Sequence, residues 1–218
     1  MKVRITFIEE ALGTASGNPD IHKEFIASHA PDAQSMEEEV ESIGVDGVVE
    51  KAKTVFPKDQ NGNPFIFDYM LKGAFKDACG HLSRVRGSKS SKIRAFKKII
   101  DGLVFPRPRK IFLQIPDGAK IGEKQRPLRG QTAKGERIAL ANSETVPVGT
   151  YFEFEVLFQW RGLDFSKLNG KDSIDLEGAV EEWLDYGELR GFGAWRNAGW
   201  GAFTWERLDE NMPKKAKK

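Results

Sequence analysis

The chain has 218 residues, 34 Lys and Arg against 32 Asp and Glu for a net charge of +2, 39% hydrophobic residues and one cysteine. That length buries a core in one large domain; the lone Cys79 excludes an intrachain disulfide, suits a reducing cytoplasm, and on a predicted helix reads as a small buried apolar residue. The opening MKVRITFIEE reads as a strand and not as a signal segment, and no stretch approaches the roughly 20 apolar residues of a membrane span, so a cytoplasmic protein without a membrane partner is expected.

Val3, Ile5 and Phe7 alternate with Arg4 and Thr6, which predicts a first strand with one buried face. A loop rich in Gly, Asn, Pro and Asp follows over 13–20. The stretch 21–50 has patchy helical signals and few apolar anchors, as expected of an insertion standing off the core. It is acidic, with seven acids and no base from Asp32 to Glu50. Asn61-Gly62-Asn63-Pro64 is a turn signal. Beyond it Asp68 is placed to cap a helix in which Leu71, Ala74, Phe75, Ala78 and Leu82 recur at the spacing of one buried stripe. Lys72 and Lys76 lie together off that stripe.

The charge then reverses. From Leu82 to Lys110 ten bases, among them Arg84, Arg86, Lys89, Lys92 and Arg94, stand against one acid, Asp101. Lys120, Lys124, Arg126, Arg129, Lys134 and Arg137 continue the block more thinly, with Gly and Ser between them. A solvated face mixes both signs, so this segregation suits a polyanion-binding surface. The region from about 84 to 141 reads as a basic insertion of short strands and loops, with a turn at Pro116-Asp117-Gly118.

Tyr151 to Phe158 is the clearest strand: Phe152, Phe154, Val156 and Phe158 point one way, Glu153 and Glu155 the other. In the next helix Leu176, Ala179, Val180, Trp183 and Leu184 form the buried stripe, Asp175 is a cap and Gly187 is placed to end it. The run from Tyr186 to Phe203 then packs five glycines and two arginines among aromatic residues. Glycine lets a backbone approach a ligand and turn successive N–H groups toward a phosphate, and arginine adds charge and a plane on which a base stacks. Phe203 and Trp205 alternate with Thr204 and Glu206 in a last strand, and the basic tail 211–218 is expected to be disordered. The outline is that of an α+β, ferredoxin-like (RRM-like) antiparallel sheet with helices on one face and large insertions.

Three segments, in this order, resemble the RAMP superfamily and within it the Cas seven backbone subunits that line CRISPR RNA in effector complexes. In PFIFDYMLKGAFKDACG a proline-led loop enters a helix, where Leu71-Lys72-Gly73-Ala74 and Lys76 fit that family's hydrophobic-Lys-Gly-small sequence and following base. SETVPVGTYFEFEVLF fits its Glu-Thr-Val-Pro-x-Gly-Thr lead into alternating Phe and Glu, and the glycine-rich loop follows the C-terminal helix as it does there. Leu12-Gly13-Thr14 after the first strand fits as well. The resemblance covers roughly Lys2 to Trp205 with long divergent insertions. It implies one RAMP-like domain over 1–210, with a thumb-like acidic insertion over about 17–56 that reaches a neighbouring subunit in an assembly.

Two departures bear on mechanism. Phe67-Asp68-Tyr69-Met70 stands where the family has Pro-Gly-Ser-Ser. Where target-cleaving relatives carry an acid, alignment back from Gly62 and Pro64 places Ala52 or Lys53, and only a gap brings Asp46 or Asp59 there. His22, His29 and His81 show no metal-ligand spacing with Cys79 or one another, and the carboxylates of Glu37, Glu38, Glu39 and Glu41 point in different directions on a helix.

The expected function is therefore that of a noncatalytic protein, without metal or cofactor, that binds single-stranded nucleic acid, RNA in preference, and assembles along it as a homo-oligomer or ribonucleoprotein subunit. Lys72, Lys76, Arg84, Arg86, Lys89, Lys92 and Arg94 would neutralise phosphates. Arg190, Gly191, Gly193, Arg196, Asn197 and Gly199 would cradle the strand, with Trp195 or Trp200 stacking on bases. On this reading Arg196 acts on the ligand and not on the fold. Three other readings stay open: a metal-dependent endoribonuclease acting through Asp46, a structural or decoy subunit of a CRISPR complex, and a single-stranded DNA-binding protein. A stand-alone copy carried by a phage would read the same.

Overall fold

Alternation places Val3, Ile5 and Phe7 on the buried face of the first strand, and that strand becomes the middle of the main sheet. The computed structural model describes residues 1–16, 53–132, 135–159 and 174–209; most of the acidic insertion, with Asp46, and the basic tail lie outside them. In chain order the strands are β1 (Lys2–Phe7), β2 (Ala11–Leu12), β3 (Ala15–Ser16), β4 (Lys53–Val55), β5 (Phe65–Phe67), β6 (Val104–Arg107), β7 (Lys110–Phe112), β8 (Gly122–Thr132), β9 (Gly135–Val146), β10 (Tyr151–Phe158) and β11 (Phe203–Arg207). The helices are α1 (Asp68–Leu82), α2 (Phe96–Leu103) and α3 (Leu176–Arg190).

The main sheet has the order β11-β1-β10-β6 and is antiparallel throughout, the fourth-first-third-second arrangement of a ferredoxin-like fold. Its register sets Ile5 opposite both Phe152 and Trp205. Phe152, Phe154, Val156 and Phe203 are buried on the same face as Val3, Ile5 and Phe7. Helices α1 and α3 cover that face with Leu71, Phe75, Ala78, Val180, Trp183 and Leu184, and the Phe75 and Trp183 rings meet at 5.6 Å. Cys79 belongs to this core, and burial pushes its thiol up to about 11. On the other face Arg4 donates to Glu153 and Glu206, tying β1 to its two neighbours, β10 and β11.

A second sheet, β2-β9-β4-β3 with β8 on β9, is built from the long β8–β9 hairpin and the strands around it. It joins the first at Gly13. The N–H of Gly13 donates to the Glu144 carbonyl at 2.9 Å, and a Cβ on Gly13 would lie 2.5 Å from the Val55 carbonyl carbon. Glu144 itself is buried, its carboxylate accepting from Phe56 N at 3.1 Å and pairing with Lys58 at 2.6 Å. The Leu12-Gly13-Thr14 and Ser143-Glu144-Thr145 segments of the sequence resemblance thus meet at one backbone crossing.

Several local expectations change. Val104–Arg107, inside the stretch read as a basic insertion, is an edge strand of the main sheet with Val104 and Pro106 buried; four residues are too few for alternation to show. Asp68 is the first residue of α1 and not its cap: it is buried, accepts from Tyr69 N and takes Arg109 Nη1 at 2.8 Å. Asp175 does cap α3, accepting from Gly178 N at 2.9 Å. Gly187 does not end that helix, which runs to Arg190 and stops at Gly191. Gly187 instead admits the Phe203 ring, whose tip lies 2.6 Å from where a Cβ would be.

Gly13→Ala is expected to lower the unfolding free energy by about 1–3 kcal/mol, since the colliding atoms are backbone. Gly73→Ala, on the open face of α1 with no atom within 4 Å, is expected to raise it by about 0.5–1 kcal/mol. Urea unfolding of the two variants checks both signs.

Candidate nucleic-acid interface

The glycine-rich loop after α3 is folded back upon itself and upon the β1–β2 connection. Phe192 N donates to Gly201 O at 2.8 Å, Gly201 N to Glu10 O at 2.9 Å and Ala194 N to Leu12 O at 3.5 Å. Gly191 N and Gly199 N are bonded to Gly187 O and Arg196 O. A Cβ on Gly191 would lie 2.5 Å from the Trp200 carbonyl oxygen, and one on Gly193 2.8 Å from that of Leu12. Gly191 and Gly193 make a close crossing of backbones, and the Gly191, Gly199 and Gly201 N–H groups are spent on protein carbonyls.

The loop does project side chains. Trp195 has a left-handed backbone, φ 56, unusual for a bulky residue, and is 38% exposed. Its ring lies parallel to that of Trp200, with 6.0 Å between centroids. Arg126 sits 4.9 Å from the Trp195 centroid and Lys124 5.2 Å from that of Trp200. Two residues apart on β8, these cations share one side of the strand. The Nε and Nη1 atoms of Arg126 are buried with no hydrogen-bond partner, so the indole face is the contact that holds this guanidinium.

Beside the tryptophans, Asp77 of α1 gathers the loop cations. Its Oδ2 accepts from Arg196 Nη1 at 3.0 Å and Arg190 Nε at 3.4 Å, and its Oδ1 lies 3.7 Å from His81 Nε2. Arg190 also donates to Asn197 Oδ1. Arg84 lines an open groove with Lys76, Asp77, Gly80 and His81. Around the helix, Lys76 pairs with Asp101 at 2.5 Å. Lys72 donates to the Asp101 carbonyl at 3.0 Å and lies over the Phe105 ring; burial lowers its pKa.

Of the residues read from sequence, the fold therefore brings Lys76, Arg84, Arg190, Trp195, Arg196 and Asn197 into one connected surface. Gly191 and Gly193 lie at the backbone crossing beneath it, and Gly199 follows the turn Arg196–Ala198. Lys89 is elsewhere, paired at 2.9 Å with Asp175 at the opposite end of α3. The turn Ser90–Lys92 is pinned there too, because the Glu182 carboxylate accepts from Lys89 N, Ser90 N and Ser90 Oγ. Arg86, Lys92 and Arg94 are exposed on this connection. Sequence reading passed over Asp77, weighed His81 only as a metal ligand although its i, i+4 spacing from Asp77 on α1 was visible, and counted Lys124 and Arg126 as charge without seeing their shared face.

Among the described residues no three His, Cys, Asp or Glu side chains are grouped to hold a metal ion, and no helix is long and apolar enough to cross a membrane. No family model and no curated protein matches the chain. In fold it is similar to a chain of a solved structure described as the cryo-EM structure of the Type III-B Cmr-beta bound to cognate target RNA. The identity is 12% and the TM-score 0.51, over 94% of this chain. It spans 58% of the length of that chain. The likeness is one of fold, α+β with antiparallel sheets, and to that extent it agrees with the RAMP resemblance of the sequence.

If the cation-π contacts hold hairpin and loop together, a double-mutant cycle of Trp195→Ala and Arg126→Ala, read by urea unfolding, gives a coupling of about 0.5–1 kcal/mol. Independent, additive losses would mean that the two elements do not support each other.

Proposed function

We propose that this protein is a noncatalytic, RAMP-like subunit that binds single-stranded nucleic acid, RNA in preference to DNA, and lines up with further copies along the strand. The observation that carries the reading is the gathering of cations from α1, β8, the end of α3 and the glycine-rich loop around Asp77 and the stacked Trp195–Trp200 pair, of which Trp195 is exposed and has a left-handed backbone. No two of these segments are neighbours in sequence except the last pair. Their convergence makes a surface that offers charge for phosphates and an aromatic plane for a base. The fold it shares with a chain of an RNA-bound Type III-B assembly supports RNA as the strand.

In this mechanism Lys76, Arg84 and Arg196 neutralise the phosphates, and Trp195 takes a base on the part of its ring left by Trp200 and Arg126, a contact of about 1–3 kcal/mol. The loop glycines hold this geometry rigid, so little ordering is needed on binding. Arg86, Lys92 and Arg94, on the exposed connection at the far end of α3, extend the positive field toward a neighbouring copy. The acidic insertion is the complementary partner for that charge.

Fluorescence anisotropy with labelled single-stranded RNA, single-stranded DNA and duplex is expected to rank them in that order. Affinity should fall steeply between about 50 and 200 mM salt as counterions are released. Equal affinity for all three, or no salt dependence, would overturn the proposal. Two further outcomes are expected of the same complexes: RNA survives incubation with magnesium or manganese, and the mass by light scattering rises with oligonucleotide length. Scission lost in Asp46→Ala would favour the nuclease reading, and a one-to-one complex at every length would exclude side-by-side assembly.

A further inference from the structure

The two loop arginines share one carboxylate. Asp77 Oδ2 alone takes both Arg196 Nη1 and Arg190 Nε, so each guanidinium keeps N–H donors beyond the single bond it gives to Asp77. Neither arginine is sealed, since Arg190, Arg196 and Asp77 side chains are 28, 26 and 28% exposed. The groove at which Asp77 lies is open and is lined besides by Lys76, Gly80, His81 and Arg84. Charge is not balanced: the groove's Lys76, Arg84 and Asp77, taken with their ion-pair partners Arg190, Arg196 and Asp101, set four positive charges against two negative ones, a surplus of two.

Resting on the nucleic-acid reading above, we propose that this groove is a phosphate site and that Asp77 occupies the place of the phosphate in the free protein. A phosphodiester presents two unesterified oxygens and matches the planar fork of a guanidinium, which one shared carboxylate oxygen does not. When a strand enters, its phosphate takes Arg196 and Arg84, and the Asp77 carboxylate falls back on Arg190 and His81. The carboxylate thus keeps the arginine pair aligned without a ligand and lowers affinity for one, because an anion must be displaced before another binds. Weakly held anions, which cannot displace a carboxylate from two arginines, are thereby kept out.

The sign of one substitution separates this from a purely structural role. Asp77→Asn is close to isosteric and removes the competing charge. It is expected to bind labelled oligouridine about three- to tenfold more tightly than the wild type, with a log-log salt slope steeper by up to one phosphate contact of a single strand, ~0.7. The thermal midpoint should fall, as an ion-pair partner is lost. Asp77→Ala is the second variant, since alanine favours the helix and offsets part of that loss. Inorganic tripolyphosphate, read by calorimetry, is the probe independent of bases. Tighter binding of both probes by either variant supports the proposal. Unchanged or weaker binding of both overturns it while the nucleic-acid reading stands. Tighter tripolyphosphate binding with no oligouridine binding by any form keeps the phosphate site and overturns the nucleic-acid reading. No binding of either probe by any form overturns both. Failure of both variants to fold would make Asp77 an anchor alone and overturn the proposal.

Discussion

The structure depends on one backbone crossing at Leu12–Gly13. Here the connection from β1 passes so close to Val55 that no side chain fits at residue 13, while the Glu144 carbonyl receives the Gly13 N–H and the Glu144 carboxylate holds Phe56 and Lys58. The glycine-rich loop closes on the same segment through Ala194 and Gly193. A buried carboxylate is costly to leave without its partners, so Glu144 holds Phe56 and Lys58 at the crossing. Trp195, Arg196 and the β8–β9 hairpin inherit their places from it.

Acids organise the basic surface. Asp77 collects Arg190, Arg196 and His81; Asp101 takes Lys76 and, through its carbonyl, Lys72; Asp175 and Glu182 fasten the Lys89–Lys92 turn. Each such pair is worth little as stability when exposed, and its effect is one of geometry. Long side chains that would otherwise sample many rotamers are held where a polyanion finds them. Lys72, Lys76 and Lys89, named from sequence as phosphate contacts, therefore stand in partnership with Asp101 and Asp175, and on the proposed function binding is an exchange of anions as much as a capture of one.

The glycine-rich loop shows why composition and role come apart. Glycine, arginine and tryptophan in that run have the chemistry of a phosphate cradle, yet Gly191, Gly193 and Gly201 serve a close approach of backbones, and the N–H groups of Gly191, Gly199 and Gly201 are bonded to protein carbonyls. Arg196 stands in both roles: it braces the loop against α1 through Asp77 and stays partly exposed at the groove. Its removal is therefore expected to cost stability through the lost Asp77 contact, where the sequence reading has Arg196 act on the ligand and not on the fold.

The sequence alone determined whatever is periodic or local: alternation in β1, β10 and β11, the buried stripes of α1 and α3, the Asp175 cap, the turns at Gly62 and Gly118, and hence a ferredoxin-like α+β outline. Tertiary structure decided what depends on distant partners. That β6 completes the main sheet follows from pairing Val104–Arg107 with a strand some 50 residues later. Which acid meets which base was hidden for the same reason, since Lys72 finds Asp101 across 29 residues and Arg196 finds Asp77 across 119. Charge carries no directional pattern along a chain, whereas burial does. The core was therefore readable from spacing, and the site had to wait for the fold to bring its segments together.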